Sequence, residues 1–309
     1  MNRIFRKLLA SGIASAALLS GASFAADKLP VVASFSILGD LVRVVGGERV
    51  SVTTLAGVDE DAHVFEPRPA DARAIVQSRL LVVNGLGFEP WAQKLAKSAG
   101  YQGATMVASK GVTARAMAEE KGHSSTGHAH QETDPHAWQN PANVIAYARN
   151  ISAALRQADP AGSAVYQANT DAYVKELQAL DAWAGAQFAA IPANRRKVIT
   201  SHDAFGYFAA HYGIRFLAPQ GVSTDAEPSA KSVAQLIRQI QREKISAVFV
   251  ENMGNPKLLA QISQDAGVTV GATLYVDALS ATGGPADSYL KLMRHNVMQL
   301  AAGMKLNVN

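Results

Sequence analysis

At 309 residues, with 48% hydrophobic and 17% charged side chains, the chain can bury a large core and is long enough for two domains. It contains no cysteine, which excludes disulfides, thiolate metal sites, cysteine nucleophiles and a cysteine-linked lipid anchor. The formal charge of +4 includes Arg3, Arg6 and Lys7 at the N-terminus, so the rest carries +1, too little for a nucleic-acid or membrane-surface footprint.

Residues 1–25 read as a secretory signal peptide. Arg3, Arg6 and Lys7 supply the positive start, and residues 8–19 are apolar or small, shorter than the ~20 residues of a membrane span. Ser23-Phe24-Ala25 fits a small-x-small cleavage site. The mature protein is therefore expected from about Ala26, soluble in a periplasm-like compartment and without a lipid anchor.

Residues 26–158 read as a first α/β lobe. Short apolar strands are expected at 31–35, 50–55, 80–84 and 105–108, alternating with helices at 37–45, 71–77 and 90–98. That alternation implies a parallel sheet covered on both faces. Residues 111–133 are polar, small and histidine-containing, and read as an exposed loop within this lobe. Residues 159–192 form a long helical candidate that begins at Asp159-Pro160 and stops at Pro192. Tyr166, Tyr173, Leu177, Leu180, Ala184 and Phe188 give it one apolar stripe. It reads as a stiff strut crossing both lobes, or as two ordinary helices broken near Thr170-Asp171. Residues 193–309 repeat the first layout, with strands at 197–200, 214–218, 247–250 and 269–275 and helices at 204–212, 233–243, 256–266 and 288–300. The fold class is thus α/β, with two lobes of four short strands each.

Histidines carry the chemistry. His63 lies in Asp61-Ala62-His63-Val64-Phe65-Glu66-Pro67, His136 in Asp134-Pro135-His136-Ala137-Trp138, and His202 in Ser201-His202-Asp203; Asp277 follows an apolar run. Each sits at or beyond the end of a strand or on a connection, where α/β sheets bind ligands. Three imidazoles and a carboxylate suit a divalent transition metal, zinc above all. By spacing alone each also has an ordinary reading, as an exposed turn residue (His63), a turn-ordering residue (His136) or a helix cap (His202, Asp277). Glu66 and Glu251 are candidates to accept an imidazole N–H and fix its tautomer. His123, His128 and His130 read as a zinc-collecting loop, and His211 and His295 as packing or surface residues.

These motifs, in this order and with the long helix between them, resemble the metal-binding solute-binding proteins of ABC importers (cluster A-I, ZnuA/AztC-like), in particular the zinc-specific periplasmic members. The resemblance runs from about Leu29 to the C-terminus and rests on His63-Val64-Phe65-Glu66-Pro67, Asp134-Pro135-His136-Ala137-Trp138, Ser201-His202-Asp203-Ala204-Phe205 and Val276-Asp277-Ala278-Leu279. It implies two α/β lobes, each with a four-stranded mainly parallel sheet, joined by one rigid helix with the metal between them. It assigns His63, His136, His202 and Asp277 as the four ligands. Manganese members resemble a glutamate at the third position, where this chain has His202. Some zinc members place water where Asp277 would bind. Two departures stand out: Gln139-Asn140-Pro141 replaces the usual Asp-Pro after the tryptophan, and the histidine loop is short.

The expected function is high-affinity Zn2+ capture in the periplasm and delivery to an inner-membrane ABC permease, by a monomer that a periplasmic metallochaperone could supply. A manganese or iron carrier is the alternative. A zinc hydrolase is the competing class, but the sequence has no His-Glu-x-x-His pair and no nucleophile elbow.

Overall fold

The computed structural model describes residues 27–116, 133–225, 227–253 and 256–308. The signal-peptide reading of 1–25 and the loop histidines His123, His128 and His130 lie outside the described residues. No helix among the described residues is long and apolar enough to cross a membrane.

The first lobe follows the sequence expectation closely. Its strands are β1 (Leu29–Phe35), β2 (Val50–Ala56), β3 (Leu80–Val83) and β4 (Ala104–Val107), all parallel in the order β2-β1-β3-β4. The central strands are nearly continuous apolar runs because both of their faces are covered. The connecting helices are α1 (Ser36–Gly46), α2 (Pro69–Gln77) and α3 (Pro90–Ser98), the last two with proline in the first turn, where its missing N–H costs nothing. A two-residue ladder follows, formed by β5 (Arg115–Ala116) and antiparallel β6 (Thr133–Asp134).

Residues 141–158 carry a helix beyond those expected from the sequence. Helix α4 (Pro141–Ala158) is capped by Asn140, whose side chain accepts the Ala142 N–H at 2.9 Å. The Asn140-Pro141 departure is thus a helix start, with an Asn cap and Pro at the first position.

The linking helix is a single element. Helix α5 (Ser163–Ala189) runs 27 residues after a short 3-10 turn at Pro160–Gly162. At 1.5 Å per residue it spans about 40 Å. It is unbroken through Thr170-Asp171; the Thr170 hydroxyl donates back to the Tyr166 carbonyl at 2.6 Å without interrupting the helix. The expected stripe is buried along its length, with Thr170 added. Its first half is tied to the first lobe, where Asn169 Nδ2 donates to the Val45 carbonyl at 3.1 Å. Its second half is tied to the second lobe, where Asp181 accepts hydrogen bonds from His211 and Tyr212, both at 2.7 Å. A helix anchored at both ends is the strut geometry.

The second lobe holds β7 (Lys197–Ile199), α6 (Gly206–Tyr212), β8 (Arg215–Leu217), α7 (Ala230–Glu243), α8 (Pro256–Ala266) and α9 (Tyr289–Leu306). Among the described residues of this lobe, only β7 and β8 form a continuous parallel pair. The segments expected as strands at 247–250 and 269–275 join through single parallel bridges, Ile199 to Val248 and Val248 to Val270. The four-strand layout is present, but thin. Gly271 helps explain this: a Cβ there would press on Phe249, and a glycine within a strand weakens its ladder.

Candidate metal centre

Asp-x-His turns present the two imidazoles of the first lobe. His63 stands on the loop after β2, and its backbone N–H is accepted by Asp61 Oδ1 at 2.8 Å. His136 follows β6, and its backbone N–H is accepted by Asp134 Oδ1 at 2.9 Å. An aspartate that accepts the N–H two residues on makes an Asx-type turn, which fixes the chain before any ligand is present. In the second lobe His202 lies just past β7, and Asp277 just past the extended segment that ends near Leu274.

These four residues converge. One donor atom from each of His63, His136, His202 and Asp277 lies within 4.8 Å of all the others. His63 Nε2 and His136 Nε2 are 3.1 Å apart. Asp277 Oδ2 lies 3.1 Å from His202 Nε2 and 3.3 Å from His63 Nε2, and its Oδ1 lies 3.7 Å from His136 Nε2. His136, His202 and Asp277 are completely buried, and the His63 side chain is 5% exposed.

Around Asp277, proximity is not hydrogen bonding. His202 Nε2 and both Asp277 oxygens are buried without an aligned hydrogen-bond partner, despite the short separations. A buried carboxylate left in this state costs several kcal/mol unless a cation compensates it. Buried ligand atoms that crowd together with the carboxylate unpaired are the arrangement a divalent cation resolves.

The far sides of two rings are held by carboxylates. Glu251 Oε2 accepts from His202 Nδ1 at 2.5 Å, and Glu251 Oε1 accepts the backbone N–H of Ser201 at 2.8 Å. Asp134 Oδ1 accepts from His136 Nδ1 at 2.9 Å. Each contact leaves Nε2 as the nitrogen facing the cluster. The Glu251 expectation therefore matches this geometry, and the Glu66 expectation does not. Glu66 is exposed, carried outward by the turn containing Pro67, and no described hydrogen bond joins it to an imidazole. Asp134 is the partner that sequence reading missed, although the Asp-x-His repeat at 61–63 and 134–136 was a usable signal. His211 pairs with Asp181 and His295 donates to the Thr273 carbonyl, both away from the cluster, as expected for packing residues.

The charges are set by neighbours. Burial opposes ionisation of Asp277, but the imidazoles of His136, His202 and His63 facing it outweigh burial and hold the carboxyl far below its usual range. Burial likewise opposes protonation of His202, but Glu251 and Asp277 outweigh it and push its pKa well above the ordinary imidazole value.

An aromatic wall completes the site. Phe88 meets His63 edge-on at 4.6 Å between centroids, and Trp138 meets His136 at 5.3 Å. Trp138 Nε1 and Gln139 Nε2 both donate to the Val276 carbonyl, at 3.0 and 2.8 Å, which pins the residue before Asp277 to the first lobe.

Comparison with known proteins gives the family and the fold. A family model described as "Zinc-uptake complex component A periplasmic" (ZnuA) matches residues 31–303. The manganese-binding lipoprotein MntA of Halalkalibacterium halodurans is 32% identical over 285 residues, covering 92% of this chain and 91% of that protein. The periplasmic zinc-binding protein TroA of Treponema pallidum superposes with a TM-score of 0.82 at 25% identity, covering 90% of this chain and 99% of that one. The Mn-bound periplasmic metal-binding protein from Candidatus Liberibacter asiaticus gives a TM-score of 0.79 at 26% identity, covering 90% of this chain and 100% of that one.

Proposed function

The chain belongs to the ZnuA family of periplasmic metal-uptake components, and on that premise we propose that it captures Zn2+ outside the inner membrane and delivers it to its permease. Proteins of this family are extracytoplasmic, metal-binding substrate-binding components of ABC importers, which serve a permease and its ATPase and are not enzymes.

The observation that carries the zinc reading is the donor set. Three imidazole nitrogens and one carboxylate, within 4.8 Å of one another, make a four-donor site in which His63, His136, His202 and Asp277 are the ligands. Nitrogen-rich tetrahedral sets favour zinc, whereas manganese prefers oxygen. Four protein donors leave no position for a reacting water, which suits cargo binding. The second reading, a manganese or iron carrier, is favoured by the manganese-binding relative and the Mn-bound neighbour. Metal analysis separates them. After chelator stripping, protein offered equal Zn2+, Mn2+ and Fe2+ is expected to retain one zinc, also with His123, His128 and His130 replaced by serine. Retention of manganese in preference to zinc would replace this reading with the second.

Affinity should fall as the solution is acidified. Metal requires neutral imidazole, and the raised pKa of His202 means that the empty site holds a proton there even above the ordinary imidazole range. Binding then displaces that proton. Zinc affinity is expected to rise from pH 5 to pH 7, by about one log unit per pH unit for each proton displaced. Calorimetric titrations in buffers of different ionisation enthalpy measure the release; a flat profile would contradict it.

In the same reading, residues 1–25 direct export and the mature chain is free in the periplasm. MntA is a lipoprotein by name, but this sequence has no cysteine to carry a thioether-linked lipid. The lobes divide around the linking helix, at 26–158 and 193–309.

A further inference from the structure

Tyr207 is not a donor, yet its position ties the two halves of the cluster together. It is buried at the start of α6, shortly after His202 in the second lobe. Its hydroxyl sits against the β5–β6 ladder of the first lobe, where Arg115 pairs with Asp134. That hydroxyl accepts the Arg115 backbone N–H at 3.0 Å and donates to the Asp134 carbonyl at 3.2 Å. The Arg115 guanidinium lies over the same ring, 5.8 Å from its centroid.

Asp134 is the carboxylate that orients His136. Its Oδ1 takes both the backbone N–H and the Nδ1 of His136, each at 2.9 Å. Its Oδ2 faces Gly206, where a Cβ would overlap the carboxylate, so only glycine lets α6 approach this closely. The first turn of α6 is therefore seated directly on the group that aims an imidazole from the opposite lobe.

We propose that Tyr207 is a positioning residue for metal binding: its hydroxyl clamps the backbone of Asp134 and thereby holds His136 Nε2 in register with the turn that carries His202. This rests on the reading of His136 as a metal donor. The physical reason is that His136 and His202 belong to different lobes, so their separation is fixed only by contacts that cross between them. A phenol bonded to both strands of a two-residue ladder is rigid, with few rotatable bonds to order. The clamp keeps the site preformed and slows release of the ion.

The test is the rate of zinc release from the full chain into an excess of chelator. Tyr207→Phe keeps the ring and removes both hydroxyl contacts, and is expected to speed release about tenfold, the low end for groups that orient metal ligands. The same change is expected to add less than twofold in an Asp134→Ala background, where the route to His136 is already cut. A tenfold effect in both backgrounds would mean that Tyr207 acts through general structure, and would overturn the proposal. So would release at the wild-type rate in Tyr207→Phe. His136→Ala is the control for the site: wild-type release there would overturn the donor assignment itself, and this inference with it. Fast release in His136→Ala beside slow release in Tyr207→Phe would overturn the clamp alone.

Discussion

On the proposed assignment of four donors, replacing His202 with alanine is expected to weaken zinc binding at least about a hundredfold, because the site would lose one of the four groups that supply its binding energy. Of the clustered imidazoles, His202 has the far side most firmly held. Glu251 fixes its Nδ1 at 2.5 Å, and the ring is completely buried. Water entering the space left by the ring would supply a weaker and less oriented donor. The variant should still fold, since Glu251 keeps its hydrogen bonds from the backbone N–H groups of Ser201 and residue 202, at 2.8 and 3.2 Å. Competition with a chelator of known zinc affinity gives the number directly. Affinity within a few-fold of wild type would remove His202 from the donor set.

Trp138→Ala is expected to have the largest effect on stability, about 3–5 kcal/mol. The indole is fully buried between Phe35, at 5.0 Å, and Phe88, at 4.7 Å, and packs on His136. It also carries polar contacts across the lobes. Its Nε1 donates to the Val276 carbonyl at 3.0 Å, and its own carbonyl accepts the Tyr289 hydroxyl at 2.7 Å. Alanine leaves a cavity and removes one of the two donors to Val276, while Gln139 keeps the other. The melting temperature of the metal-free protein should fall by roughly 10 °C for a chain of this size. Trp138→Phe keeps most of the packing and is expected to lose only about 1–2 kcal/mol. Calorimetry on both variants separates packing from the hydrogen bond; equal losses would show that the N–H contact dominates.

Much of the site is legible in the sequence because its signals are local. His63 and His136 each follow an aspartate by two residues, a spacing at which the carboxylate reaches the histidine N–H and fixes the turn. His202 and Asp277 sit just past apolar runs that end a strand or an extended segment. The stripe from Tyr166 to Phe188 is likewise a short-range pattern, and it correctly marks one buried helical face. Helix α4 escapes the same reading although its cap, Asn140-Pro141, is in plain view; against the motif of the family those residues look like a departure, and in the fold they are a helix start.

The sequence by itself determined which residue types could bind metal, where the strands and helices alternate, and that no thiol takes part. These follow from composition and from periodicities of a few residues, which act within one element. Only the tertiary structure decided which carboxylate serves which imidazole. Glu66, close to His63 in sequence, is turned to solvent, whereas Glu251, distant from His202 in sequence, reaches its ring because parallel bridges set the segment at Val248 beside Ile199. The same holds for the seat of α6 on Asp134 and the tie from Trp138 to Val276. Such contacts depend on how the two halves of the chain are held against each other, and no local pattern in the chain encodes that distance.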